Sequence, residues 1–180
     1  MSVADLAADV WSRIPRLGAT RLVAIDGPGG AGKSTYAARL AEACAAQIVH
    51  TDDFASWDNP IHWWPRLEEQ VLRPIAANQA ARYQRYDWNR RTFAEWQTVA
   101  PGGVLILEGV SSARAAVRDR LSFVVWIETP RHIRLLRGLA RDGSESEELW
   151  QRWMSDEDAH FATDRTREHA DAVVFGAGES

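Results

Sequence analysis

The chain has 180 residues, 46% hydrophobic and 26% charged, which is enough for one hydrophobic core and too little to favour two independent domains. Its formal net charge is -4 and its arginines are scattered, which argues against binding to nucleic acid through a basic surface. The single cysteine, Cys44, excludes an internal disulfide, and no apolar run reaches membrane-spanning length, so we expect a cytoplasmic protein that spans no membrane.

The N-terminal segment from Val3 to Leu17 is predicted to be an amphipathic helix, because its apolar residues recur at three- and four-residue spacing. Asp5 and Asp9 lie where a signal peptide would have basic and then apolar residues. We therefore expect this helix to pack on the body of the protein. The sequence leaves open whether the chain forms a homo-oligomer.

Five apolar segments rich in β-forming residues are separated by helical patterns: Leu22 to Ile25, Ile48 to His50, Val104 to Leu107, Phe123 to Ile127 and Ala172 to Phe175. Strands this apolar leave no face for solvent, and strands that alternate with helices are typical of a parallel sheet covered on both sides. The predicted fold class is therefore α/β.

A glycine-rich stretch, GPGGAGKST at residues 27–35, lies between the first predicted strand and a helical pattern, and it satisfies the phosphate-binding loop pattern. Glycines let successive backbone N–H groups point inward at the positive end of the following helix, where they form a concavity for phosphate. The Lys33 ammonium would reach the β- and γ-phosphate oxygens, and the Ser34 hydroxyl is placed to bind Mg²⁺. The predicted ligand is ATP or GTP, and the predicted binding residues are Gly27, Gly29, Gly30, Ala31, Gly32, Lys33, Ser34 and Thr35.

Carboxylates follow two other predicted strands. Asp52 and Asp53 come after the strand that ends at His50, and Glu108 comes after Leu107. Because parallel sheets bind ligands at the carboxyl ends of their strands, we expect these acids to converge on the phosphate loop. One acid can take a proton from an acceptor hydroxyl while another holds the metal or its waters. Asp53 fits a cap or a solvated position equally well.

The helical pattern after the fourth strand carries Arg134, Arg137 and Arg141 on one face, followed at residues 142–147 by a Gly/Ser/Glu-rich stretch that is predicted to be mobile. Such a stripe is either a solvated face or a lid whose guanidiniums neutralise a transferring phosphoryl group. We favour a lid at about residues 131–150.

Together these residues resemble the uridine kinase-like branch of the P-loop nucleoside and nucleotide kinases. The matching stretches are Asp26 to Thr35, Asp52-Asp53-Phe54, Tyr86-Asp87-Trp88, Leu107-Glu108-Gly109, Arg134 to Arg137 and Arg141-Asp142. The resemblance implies a P-loop NTPase fold in a single domain over residues 1–180, with a five-stranded parallel sheet of order 2-3-1-4-5. It also implies an acceptor-binding insertion at about residues 55–92.

The resemblance assigns chemical roles as well. It implies that Asp52 is the general base, that Ser34 and Glu108 bind Mg²⁺, and that the helix carrying Arg137 and Arg141 closes as a lid. We also expect Asp52 to contribute to the Mg²⁺ site, and Lys33, Arg137 and Arg141 to act on the transferring phosphoryl group.

The acceptor end departs from the uridine kinase pattern. Arg91 stands where those kinases place a base-reading histidine, and Asn59-Pro60-Ile61 lacks the acid that holds ribose hydroxyls in them. The insertion is instead rich in tryptophan and arginine, which can stack on a ring or bind an anion, although several of the tryptophans fit core packing. Residues predicted to contact the acceptor are Asp53, Trp57, Tyr86, Asp87 and Arg91.

These features predict an ATP- and Mg²⁺-dependent phosphotransferase that moves the γ-phosphoryl group to a hydroxyl of a small molecule, a nucleoside or nucleoside-like compound. One alternative is a nucleoside monophosphate kinase, in which the extra arginines bind a phosphate already on the acceptor. Another is a non-catalytic ATP- or GTP-binding switch. A long aromatic insertion beside Asp52 disfavours the switch, and the missing Asn-Lys-x-Asp motif disfavours a GTPase.

Overall fold

The computed structural model describes residues 2–55 and 63–176. In these residues the strands are β1 (Arg21–Asp26), β2 (Gln47–His50), β3 (Ala81–Asp87), β4 (Thr92–Val99), β5 (Val104–Glu108), β6 (Leu121–Glu128) and β7 (Ala172–Phe175). The α-helices are α1 (Val3–Ser12), α2 (Lys33–Cys44), α3 (Trp64–Leu67), α4 (Arg73–Ala76), α5 (Arg131–Asp142) and α6 (Glu147–Asp164). A π-helical turn, Glu68–Leu72, joins α3 to α4. Short 3₁₀ turns lie at Thr51–Asp53, Ala115–Arg120, Ser144–Ser146 and Thr166–His169.

Five of the strands form one parallel sheet in the order β2-β5-β1-β6-β7. When only these parallel strands are counted along the chain, their order is 2-3-1-4-5, so this prediction is confirmed. The remaining two strands, β3 and β4, pair antiparallel as a separate hairpin that the sequence analysis did not predict.

Side chains of the central strand β1 alternate between two hydrophobic layers. Leu22 and Ala24 join the layer that contains the π-helical turn, α4 and part of the hairpin, whereas Val23 and Ile25 join the layer that contains α1 and α2. A sheet buried on both faces has no position for a solvated polar side, which is why these strands read as unbroken apolar runs. The predicted α/β class with helices on both faces is confirmed.

The first helix is shorter than predicted, because α1 ends at Ser12 rather than at Leu17. Arg13 is already extended, and Pro15 disfavours helical backbone at the residue before it. Leu17 instead pairs with Thr20 and packs in the opposite hydrophobic layer from α1.

The predicted insertion at about residues 55–92 corresponds to α3, the π-helical turn, α4 and most of the hairpin, but β4 continues to Val99. Trp57 and the Asn59-Pro60-Ile61 segment lie outside the described residues. Within the described part of the chain, no helix combines the length and apolar character needed to cross a membrane.

Candidate active site

The phosphate-loop stretch lies between β1 and α2, in the context of strand, loop and helix that the sequence predicted. Gly30 and Gly32 have φ angles of +74° and +97°, a left-handed backbone that favours glycine. A Cβ at Gly30 would lie 2.7 Å from the carbonyl oxygen of Arg134, so α5 packs directly on the loop. The Lys33 side chain is buried inside this turn, where its Nζ donates to the Pro28 carbonyl oxygen at 3.0 Å. The loop therefore holds a cation within a curled backbone, as phosphate binding requires.

Asp26, the last residue of β1, fixes the base of this loop. Its carboxylate is fully buried and accepts the backbone N–H groups of Gly27, Ser111 and Ala113 at 2.7, 2.9 and 2.8 Å. Burial raises the pKa of Asp26 to about 6, although these three donors and the Lys33 charge oppose the rise. Asp26 thus ties the segment after β5 to the start of the phosphate loop. This role was not predicted from the sequence, although an acid that ends an apolar strand was the available signal.

Glu108 and Ser34 are brought together as predicted. The Ser34 hydroxyl donates to Oε1 of the buried Glu108 carboxylate at 3.3 Å, and Nδ1 of His50 lies 2.6 Å from the other oxygen, Oε2. The hydrogen bond with Glu108 raises the pKa of His50. His50 was missed by the sequence analysis, although it ends β2 directly beside Glu108 in the sheet register.

Asp52 and Asp53 have different environments because β2 ends at His50, as predicted, and residues 51–53 turn as a 3₁₀ helix. The Asp52 side chain remains open to solvent. Desolvation by the protein around it, together with the Glu108 charge, raises its pKa, and the Lys33 and His50 charges oppose the rise. Asp53 is buried and accepts the Tyr83 hydroxyl at 3.0 Å. Asp52 is therefore accessible to solvent and close enough to Glu108 and Lys33 for their charges to interact, whereas Asp53 anchors the hairpin.

The tip of the hairpin lies over the Asp52 turn, since the Trp88 indole N–H donates to the Asp52 carbonyl oxygen at 3.0 Å. Tyr86 is buried edge-on between Trp88 and Phe93. The Asp87 carboxylate accepts the N–H groups of residues 89 and 90 at 2.9 Å each, which closes the hairpin turn. Tyr86 and Asp87 thus have structural roles here, and their predicted contacts with an acceptor stay predictions.

Arg91 follows in the same turn. It is exposed and has a φ angle of +53°. Its predicted contact with an acceptor likewise stays a prediction.

The three arginines of α5 do not share one environment, which corrects the idea of a single stripe. Arg134 is buried, where its Nε donates to the Thr129 carbonyl oxygen at 3.1 Å. Arg137 donates to the carbonyl oxygens of Gly30 at 3.3 Å and Gly176 at 2.9 Å.

Arg141, at the far end of α5, pairs with Asp142 at 2.8 Å and lies 5.5 Å above the Trp150 ring of α6. It is also one of the charges that act on Asp52. A 3₁₀ turn at Ser144–Ser146 joins α5 to α6, and Gly138 lies against the Trp150 ring. The two helices therefore form one packed unit, and the predicted mobility of their connection stays a prediction.

The oxygen donors fit Mg²⁺ as part of a nucleotide complex. Magnesium usually keeps several waters and takes one or two carboxylates together with substrate phosphates. Ser34 and Glu108 lie within hydrogen-bond distance, and Asp52 is close enough to Glu108 for the two charges to interact. In residues 2–55 and 63–176, no cluster of three or more histidine, cysteine, aspartate or glutamate side chains is arranged to hold a metal by itself.

Comparison with known proteins agrees with this geometry. The family model described as AAA domain matches residues 23–171. The fold is similar to that of a possible uridine kinase from Bacillus stearothermophilus, with a TM-score of 0.70, 21% identity and coverage of 95% of this chain and 96% of that one.

A candidate fructose transport system kinase from Silicibacter sp. TM1040 gives a TM-score of 0.66 at 23% identity, with coverage of 97% of this chain and 99% of that one. Shikimate kinase from Acinetobacter baumannii gives a TM-score of 0.51 at 17% identity, with coverage of 86% of this chain and 83% of that one. No curated protein matches the sequence. The family match and these structures confirm the predicted P-loop fold.

Proposed function

We propose, from the premise that this chain belongs to the AAA domain family, that it is an ATP- and Mg²⁺-dependent kinase that phosphorylates a hydroxyl of a nucleoside-like small molecule. The observation that carries the proposal is the convergence of the phosphate loop, Asp52 and the Ser34–Glu108 pair at one edge of the sheet. A phosphate site alone would serve a switch equally well. A carboxylate open to solvent beside that site supports transfer to an acceptor.

Each group has a role that its position supports. The backbone N–H groups of residues 29–34 and the Lys33 ammonium bind and orient the phosphates. Asp52 orients the acceptor hydroxyl and accepts its proton as the new bond to phosphorus forms. Mg²⁺, held by Ser34 and Glu108, would neutralise charge on the phosphates when bound. Arg137, which bonds to the Gly30 carbonyl of the loop, and Arg141 would contact the transferring group.

An acceptor without its own phosphate is favoured over a nucleoside monophosphate. The insertion arginines that would bind an acceptor phosphate are largely engaged within the hairpin. Arg85 pairs with Glu95 at 2.9 Å, and Arg82 stacks over the Trp96 ring at 5.2 Å. Arg90 lies 3.9 Å from the Asp87 carboxylate. Pairing of this kind lowers the charge available to a second phosphate.

An acceptor panel tests the proposal. Purified protein with ATP and Mg²⁺ is given nucleosides, nucleoside monophosphates, sugars and aminoglycoside-like alcohols in turn, and ADP release is measured against the Lys33→Ala protein as the blank. At least one nucleoside-like alcohol should raise ADP release well above the blank. A preference for monophosphates would move the assignment to a nucleotide kinase, and no acceptor-dependent release from any compound would contradict the kinase proposal.

A further inference from the structure

A glutamate of α6 reaches into the phosphate loop. The Glu157 Oε2 atom accepts the backbone N–H of Gly29 at 2.9 Å, across 128 residues of sequence. Its other oxygen would lie 3.0 Å from a Cβ at Gly29, so the carboxylate rests directly against this glycine. The Glu157 side chain is only 18% exposed. The contact therefore belongs to the packed structure rather than to a loosely held surface chain.

The position is unusual because the loop is built to attract anions. Inward-pointing N–H groups at a helix N-terminus favour any negatively charged oxygen, whether it comes from a phosphate or from a carboxylate. Burial raises the pKa of Glu157, while the N–H of Gly29 and the Lys33 charge oppose that rise. These groups are the same ones that are expected to hold phosphate.

A second position for the carboxylate lies next to the first. Nη1 of Arg134 is 3.9 Å from Glu157 Oε2, and this nitrogen has no hydrogen-bond partner among the described residues. The Arg134 side chain is only 6% exposed. A guanidinium N–H hydrogen-bonds well to a carboxylate at about 2.7–2.9 Å. A shift of about 1 Å would therefore move Glu157 from the loop to a direct bond with Arg134.

We propose that Glu157 is an internal counter-ion of the phosphate loop, which competes with the phosphates of ATP and moves toward Arg134 when the nucleotide binds. The inference rests on the nucleotide site of the proposed function. Glu157 lies on α6, and α6 is packed on α5 through Trp150 and Gly138. Release of Glu157 would thus be transmitted to the helix that carries Arg137 and Arg141.

The test is ATP affinity in the presence of Mg²⁺, measured by titration calorimetry on the full chain. Glu157→Gln keeps the shape of the side chain and an oxygen that can accept from Gly29, but it removes the charge. Relief of repulsion between like charges close together in a partly buried site should raise the affinity for ATP about threefold to tenfold. The control is Asp156→Asn, which removes an equal charge from the neighbouring exposed position and should leave the affinity unchanged.

A second variant covers the case in which Glu157→Gln fails to fold. Glu157→Asp keeps the charge but is one methylene shorter, which withdraws the carboxylate from Gly29, so it should also bind ATP more tightly than wild type, by a smaller factor. Unchanged or weaker ATP binding in the folded variants would overturn the counter-ion role and indicate a structural brace. Failure of the wild-type protein to bind ATP would instead contradict the proposed function, so the two failures are distinguishable.

Discussion

Asp52 and Asp53 are adjacent in sequence, but we expect their asparagine variants to differ strongly in reaction rate. Asp52→Asn removes the carboxylate that we propose as the general base, whose charge interacts with those of Glu108 and Lys33. A general base contributes about 10²- to 10⁴-fold to a rate, so the barrier should rise by about 3–5 kcal/mol. Asp53→Asn keeps an oxygen for the Tyr83 hydroxyl, which lies 3.0 Å from the carboxylate, and should change the rate less than about threefold.

The same two substitutions should not lower stability. The pKa of each carboxyl group is raised in the folded protein, mainly because the surrounding protein desolvates it. A raised carboxyl pKa means that the ionised form is disfavoured by folding, so its charge costs stability at pH values above that pKa. Neutral asparagine removes this cost, and the melting temperatures of both variants should therefore equal or exceed that of the wild type.

The assay is the steady-state rate of acceptor-dependent ADP release with saturating Mg²⁺ and the best acceptor of the panel, together with thermal melting. As the pH is lowered, the wild-type rate should begin to fall at a higher pH than it would with a base of ordinary aspartate pKa, because the pKa of Asp52 is raised. Asp52→Asn should lose that limb of the pH profile. An inactive Asp53→Asn enzyme beside an active Asp52→Asn enzyme would refute the assignment of the base.

Three other substitutions test the remaining groups. Lys33→Ala should fold normally and lose nearly all turnover, because Lys33 is the only lysine in the chain and its buried ammonium is the loop's own cation; near-normal rates would contradict the phosphate role. Arg141→Ala should lower kcat more than ATP affinity, whereas Arg152→Ala, an exposed arginine of α6, should change neither. Arg91→His should change the order of preferred acceptors while ATP use is kept. The variant should fold, since histidine tolerates positive φ better than most residues. An identical ranking of acceptors would leave Arg91 without a role in specificity.

Local patterns accounted for much of the site. The phosphate loop could be predicted because its glycines, Lys33 and Ser34 are contiguous and their chemistry follows from spacing. Asp52 and Glu108 could be placed at one edge because parallel strands end on the same side. The burial of Asp53 could not be predicted from the sequence, since it depends on Tyr83, 30 residues away along the chain.

Contacts between distant elements escaped prediction. The hairpin was missed because its outer strand β4 leaves Phe93 and Trp96 exposed, which blurs the alternation that identifies a half-buried strand. Arg134 carries the same charge as Arg137 and Arg141, and only the packing of α5 against Thr129 and the phosphate loop makes it a buried residue. No sequence pattern around Glu157 predicts its contact with the phosphate loop, since its partner Gly29 belongs to a different part of the chain.

The central position of β1 also has a consequence for how the chain is made on the ribosome. Arg21 pairs with Val104 and Leu22 with Leu121, so both neighbours of β1 are translated about 80–100 residues after it. At about 5–20 residues per second, β1 waits roughly 4–20 seconds for its partners. The phosphate loop takes its shape from the end of this strand. We therefore expect a nascent chain to complete its nucleotide site only after β6 has emerged, too late for ATP to assist the folding of the first half.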